Sequence, residues 1–118
     1  MLFHLGDILT VTTGRLVSPT FTDGVYAILN FLTQDSLFTH QLPRAADECK
    51  PWVEQHYPQF SDKAMAKDII ELDKRLLHVT DKPQRKEIVL AWLQELVALH
   101  GEYFDLQPMP SEDHIVKN

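Results

Sequence analysis

Between residues 82 and 100, apolar side chains recur at helical spacing. Ile88, Trp92, Glu95 and Leu99 fall on one row and Val89, Leu93 and Leu96 lie beside it, a stripe wide enough to cover a core. Pro83 suits a first helical turn, where its missing N–H has no partner to lose, and Asp81 or Thr80 can cap it. Gly101 is expected to close the helix as a left-handed cap residue. Residues 62–79 repeat the pattern. Met65, Ile69, Leu72, Leu76 and Val79 step by fours and threes, with Ile70 and Leu77 flanking. Ser61 is the expected N-cap, and Lys67, Glu71 and Arg75 are spaced for i,i+4 pairs worth about 0.2–0.5 kcal/mol each. Lys74, Arg75 and His78 sit where positive charge suits a helix C-terminus. The link Val79-Thr80-Asp81 is short, so these two helices are expected to form an antiparallel hairpin.

Periodicity is weaker towards the amino terminus. A helix is predicted over 43–57, opened by Pro43, with Ala46, Cys49, Trp52, Val53 and His56 on its inner face. Pro51 conflicts with it, because an internal proline removes a hydrogen bond, so a break is expected near Cys49-Lys50. Another helix is predicted over 24–34, capped by Thr22 or Asp23, with Val25, Ile28, Leu29 and Leu32 inward. Residues 5–17 carry two opposed signals. The β-branched run Ile8-Leu9-Thr10-Val11-Thr12-Thr13 favours a strand, while Asp7 can act as an N-cap. No convincing strand partner follows early in the chain, so a helix is read here. From Tyr103 the prolines favour extended backbone, and residues 111–118 are expected to form a loose tail.

These elements define a mostly α, small single-domain helical bundle with a C-terminal helical hairpin and room for one or two short strands in the N-terminal third. A chain of 118 residues buries roughly two-thirds of its unfolded surface, enough for one core without covalent staples. Hydrophobic content of 44% and charged content of 24% are ordinary for a globular chain. The net charge is −6, and the acidic excess is split evenly between residues 1–60 and 61–118. That disfavours a nonspecific nucleic-acid binder, which needs a basic field, and equally an acidic mimic of DNA. The single cysteine, Cys49, allows neither an internal disulfide nor a thiolate metal site, which fits a reducing compartment. No signal peptide is read at the amino terminus, and no run approaches the ~18 apolar residues of a membrane span. A cytoplasmic location is expected.

Candidate chemistry concentrates in the first 44 residues. Thr12-Thr13-Gly14-Arg15 combines hydroxyls, a flexible backbone and a forked donor, which suit a phosphate or carboxylate. The plainer reading is a helix or strand end with a capping glycine. Thr39-His40-Gln41-Leu42-Pro43-Arg44 leads into a helix N-terminus, where exposed N–H groups with His40 and Arg44 would make an anion-binding or partner-binding corner. The plainer reading there is an N-cap. Arg44–Glu48 is an ordinary helical ion pair. His40 has no marked nucleophile beside it, Ser36 being the nearest serine. Cys49 and His56 stand two helical turns apart, too far to touch, so Cys49 is read as a small buried residue. The six histidines show no metal-binding spacing. Trp52 and Trp92 are read as core, and the acids Asp62, Asp68, Glu71 and Asp73 as a solvated face.

The blocks FHLGDILTVTTGRL (Phe3–Leu16) and DGVYAILNFLTQDSLFTHQLPRA (Asp23–Ala45), with the later CKPW and QHYPQF, resemble a family of small proteins from tailed phages and prophages. The resemblance lends no catalytic residues. It implies a phage accessory protein in the host cytoplasm, and such proteins without catalytic motifs are often inhibitors of host defence, including anti-CRISPR proteins. The expected function is therefore non-catalytic: docking on a host defence protein or complex. Tyr26, Phe31, Phe38, His40 and Arg44 are the expected contacts, because aromatic and arginine residues dominate interface energetics. One alternative is a small-ligand module that sequesters a nucleotide-type signal through Thr12, Thr13, Arg15, His40 and Arg44. Another is a virion structural or assembly protein. No cofactor or metal is expected. A homodimer is compatible with the broad apolar stripes of 62–79 and 82–100.

Overall fold

Extended backbone becomes helix at His4. Its φ and ψ of −66° and 147° are extended, and its Nδ1 accepts the N–H of Gly6 at 3.0 Å. The computed structural model describes residues 1–110 of the chain, and the expected loose tail at 111–118 lies outside them. Upstream of His4 is β1 (Leu2–His4) and downstream is α1 (Leu5–Thr13). The N-cap is thus His4, and Asp7, expected at that position, is buried inside the first turn. The β-branched run does form a helix. Its hydroxyls turn back onto the helix's own carbonyls, Thr10 Oγ1 donating to Gly6 O at 2.7 Å and Thr13 Oγ1 to Leu9 O at 2.6 Å. Ile8, Leu9 and Val11 are buried, so tertiary packing overrides strand propensity.

Helix α2 (Thr22–Thr33) buries Val25, Ile28, Leu29 and Leu32 as the spacing predicts. Its N-cap is Phe21 rather than Thr22 or Asp23, and no side chain caps it. Helix α3 (Leu42–His56) runs unbroken through Pro51, against the break expected at Cys49-Lys50. The carbonyl that loses its donor belongs to Asp47, an exposed residue where water can serve it. The buried face of α3 is Leu42, Ala45, Cys49 and Val53, rotated from the expected one. His56 is exposed and Trp52 half-buried, because a carboxyl-terminal segment covers only part of that side.

Helix α4 (Ala66–Leu76) starts later than expected. Ser61 Oγ accepts the N–H of Ala64 at 3.2 Å and shapes a turn ahead of the helix rather than capping it. Helix α5 (Lys82–His100) is capped by Asp81, whose carboxylate accepts the N–H of Gln84 at 3.0 Å. The two form the expected antiparallel hairpin. Near its turn, Arg85 Nη1 donates to Leu76 O and Val79 O at 3.2 and 2.6 Å. Further along, Trp92 Nε1 donates to Asp68 O at 3.0 Å. The buried side of α5 is Trp92, Leu93 and Leu96, while Leu99, placed on the stripe by spacing, is 74% exposed. Gly101 has a positive φ of 107°, but its ψ of 165° lies outside the left-handed helical region expected of it.

β2 (Tyr103–Asp105) then pairs antiparallel with β1, Phe3 opposite Phe104. One strand therefore lies in the N-terminal third, and its partner comes from the far end. Beyond β2 the chain crosses α2 and α3. Leu106 and Met109 are buried, Met109 N donates to Leu32 O at 2.9 Å, and Trp52 Nε1 donates to Gln107 O at 3.1 Å.

Candidate interaction site

The turn between α2 and α3 is pinned at both ends by apolar residues and exposed between them. Leu37 and Leu42 are buried, whereas Phe38, Thr39 and His40 are exposed. Asn30 Oδ1, on α2, accepts the N–H of Leu37 at 2.9 Å. Phe38 and Gln41 clasp each other: Phe38 N–H donates to Gln41 Oε1 at 2.7 Å, and Gln41 N–H donates to Phe38 O at 2.9 Å. The Tyr26 hydroxyl hydrogen-bonds Thr39 Oγ1. The backbone of this corner is thus held by α2 and by its own 3₁₀ turn (Thr39–Gln41). Its side chains point out: the Phe38 ring is 69% exposed and lies parallel to the His40 ring, centroids 6.0 Å apart and planes 5° apart.

Arg44 lies in the first turn of α3. Its Nε lies 3.8 Å from Glu48 Oε1, and its side chain is 46% exposed. A cation in the first turn of a helix opposes the helix dipole, and no acid there offsets it. Of the five expected contacts, Phe38, His40 and Arg44 are exposed on this short stretch, with Tyr26 bonded beneath it. Phe31 belongs elsewhere. It is half-buried, its ring 5.2 Å from that of Phe3.

The second expected set is dispersed. Thr12 is fully buried and Thr13 is bonded within its own helix, with Thr13 Oγ1 also accepting Arg15 N–H at 3.3 Å. Gly14, at φ 73° and ψ 8°, is the left-handed cap of α1, the plainer of its two readings. Arg15 turns towards α4 and pairs with Asp73 at 2.8 Å.

Two features escape the sequence reading. One is a buried polar cluster under residues 17–21. Ser18 Oγ donates to Asp7 Oδ1 at 2.5 Å and accepts Thr20 N–H at 3.3 Å. Gly24 lies against it, so that a Cβ there would stand 2.1 Å from Ser18 Oγ. Only a glycine at the start of α2 hinted at this. The other is an open groove of about 380 Å³ between residues 15–21, α4 and α5. Cys49 is fully buried, and burial, aided by the Glu48 charge, pushes its thiol up to about 12. A neutral thiol in that setting is not a nucleophile at ordinary pH. Among the described residues, no three or more His, Cys, Asp or Glu converge as metal ligands, and no helix is long and apolar enough to cross a membrane.

Fold and surface together define a small helical domain, closed by a strand pair and carrying an exposed aromatic-cationic corner on hydrogen-bonded backbone. Residues 3–63 match the family model described as a domain of unknown function (DUF7736), and the chain belongs to that family. The matched span contains all four sequence blocks singled out above. No curated protein matches the chain, and no solved structure does.

Proposed function

We propose that this protein acts by binding a partner protein through the corner formed by Phe38, His40 and Arg44. The observation that carries the reading is an exposed phenyl ring stacked on an imidazole, on backbone held by the Phe38–Gln41 clasp. Aromatic rings are prominent among the side chains that carry interface energy, and a pre-ordered loop loses little entropy when covered. Arg44 extends the patch with a guanidinium suited to a partner's carboxylates. The resemblance of the sequence blocks to small tailed-phage and prophage proteins directs the choice of partner to a bacterial defence protein or complex, in the host cytoplasm. The mode of action would then be occlusion of that partner's working surface.

The test is capture from a bacterial lysate carrying defence systems, with wild-type protein and with Phe38→Ala, His40→Ala and Arg44→Ala as bait. Each side chain is exposed, so each variant should keep its stability within about 0.5 kcal/mol. Phe38→Ala and Arg44→Ala should each weaken capture about tenfold or more. Undiminished capture by all three variants refutes the assignment of this surface, and wild-type bait that retains no defence component refutes the choice of partner.

A further inference from the structure

The groove between residues 15–21, α4 and α5 is a separate feature from the Phe38–Arg44 corner. Its floor is apolar: Phe21, Leu72, Leu76 and Val89 line it, with Leu16 as a half-exposed wall. Its rim is cationic: Arg15, Lys82, Arg85 and Lys86 surround it, with Asp73 the one carboxylate among the lining residues. Four of the 11 Lys and Arg residues of a chain of net charge −6 therefore gather on one depression. Lys82, Lys86 and Val89 recur at four and three residues, so α5 presents them on one side. Arg15 is paired with Asp73, and Arg85 donates to the carbonyl of Leu76, the last residue of α4, and to that of Val79 in the link to α5. The two lysines are spared such ties: Lys82 has no polar partner among the described residues, and Lys86 Nζ lies only over the Phe21 ring, 4.3 Å from its centroid. Phe21 itself is held at φ 56° and ψ −128°, a conformation that favours glycine, so its bulky ring is placed on this floor against local preference.

The geometry points to a binding site for a small amphipathic anion, its apolar body on the floor and its carboxylate or phosphate head between Lys82 and Lys86. A volume of about 380 Å³ sits at the lower end of the range for small-molecule sites and is too small to seat a partner helix along its length. The charge argument selects an anion, and the apolar floor excludes a bare one.

The experiment is titration of the isotope-labelled full chain, followed by amide chemical shifts, with octanoate, octyl phosphate, 1-octanol and inorganic phosphate. Octanoate or octyl phosphate should give saturable shifts centred on Phe21, Leu76 and Val89, and the stronger of the two identifies the head group. The alcohol and inorganic phosphate should bind about tenfold more weakly or worse, as should the better anion to the Lys82→Gln/Lys86→Gln variant. Both lysines are exposed, so that variant should fold normally. Equal binding of the alcohol, undiminished binding by the double variant, or no saturable shift at the groove overturns the assignment. Binding of an acidic amphipathic peptide there without binding of either octyl anion overturns it in favour of a protein segment.

Discussion

Gly14 and Gly24 are required for different reasons, and substitution separates them. At Gly14 nothing stands within 4 Å of a prospective Cβ, but φ is 73°. Alanine there should cost about 1 kcal/mol of conformational preference, and asparagine less, since its side chain tolerates the left-handed region. At Gly24 the backbone is ordinary helix, and the obstacle is a Cβ within 2.4 Å of Asp7 Oδ1 and closer still to Ser18 Oγ. Both atoms belong to a buried hydrogen bond that cannot move without losing its partner. Gly24→Ala should therefore cost about 1–3 kcal/mol, towards the upper end, and Gly24→Asn more rather than less. Urea midpoints for the four variants check this, and an asparagine rescue at Gly24 would contradict it. Gly14 was legible in the sequence because a capping glycine is a local device. The role of Gly24 was not, because the atoms it accommodates come from α1 and from the 17–21 segment, brought together only by the fold.

The same division holds for whole elements. Helices α2 and α5 were legible in period and approximate bounds, because burial on one face writes itself into spacing. The orientation of α5 about its axis was legible only in part. Leu99 satisfies the stripe yet is 74% exposed, whereas Leu106, in a segment with no periodic signal, is 1% exposed. What buries Leu106 and Met109 is the crossing over α2 and α3, a contact no local pattern encodes. Leu106→Ala and Met109→Ala should each cost about 2–5 kcal/mol, and Leu99→Ala no more than about 0.5 kcal/mol, measured by chemical denaturation. The α4–α5 hairpin carries a pH-dependent component. Arg75 reaches across to Glu95 and also bonds Glu71 on its own helix. The hydrogen bond from Arg75 holds the Glu95 carboxyl below its ordinary value. A carboxyl whose folded value is depressed contributes stability above its unfolded value, and the contribution is lost as pH falls through the folded one. Stability should thus decline in acid from about pH 5 downwards, and Glu95→Gln should decline less steeply over that window. The pair is exposed, so the difference should shrink in high salt. Parallel pH profiles of the two proteins at low salt would show that the pair contributes nothing.

At the scale of the molecule, the family match over residues 3–63 raises the question of whether those residues form a unit on their own. Both the sheet and the core argue that they do not. β1 has its partner at Tyr103–Asp105, and Leu5 N donates to Glu102 O at 2.8 Å, so the entry to α1 is completed by the far end of the chain. The buried cluster is continuous across the boundary. Leu5, Ile8, Leu9, Leu29, Leu32 and Val53 share it with Trp92, Leu93, Leu96, Leu106 and Met109. Without the second half, the core would face water on the side that α5 and the carboxyl-terminal crossing now cover. A chain of about 60 residues is already marginal for lack of buried area. The corner at Phe38–Arg44 lies wholly inside the matched segment, but the α2 and α3 that hold it are covered by the crossing segment. A fragment of residues 1–63 should therefore show collapsed amide dispersion and no cooperative melt, whereas the full chain should show wide dispersion and a cooperative melt. Mixing it with a 64–118 fragment should restore dispersion if the shared core is what is missing. A sharp, cooperatively melting 1–63 fragment would instead make the matched segment the autonomous unit, with the hairpin and the crossing as additions to it.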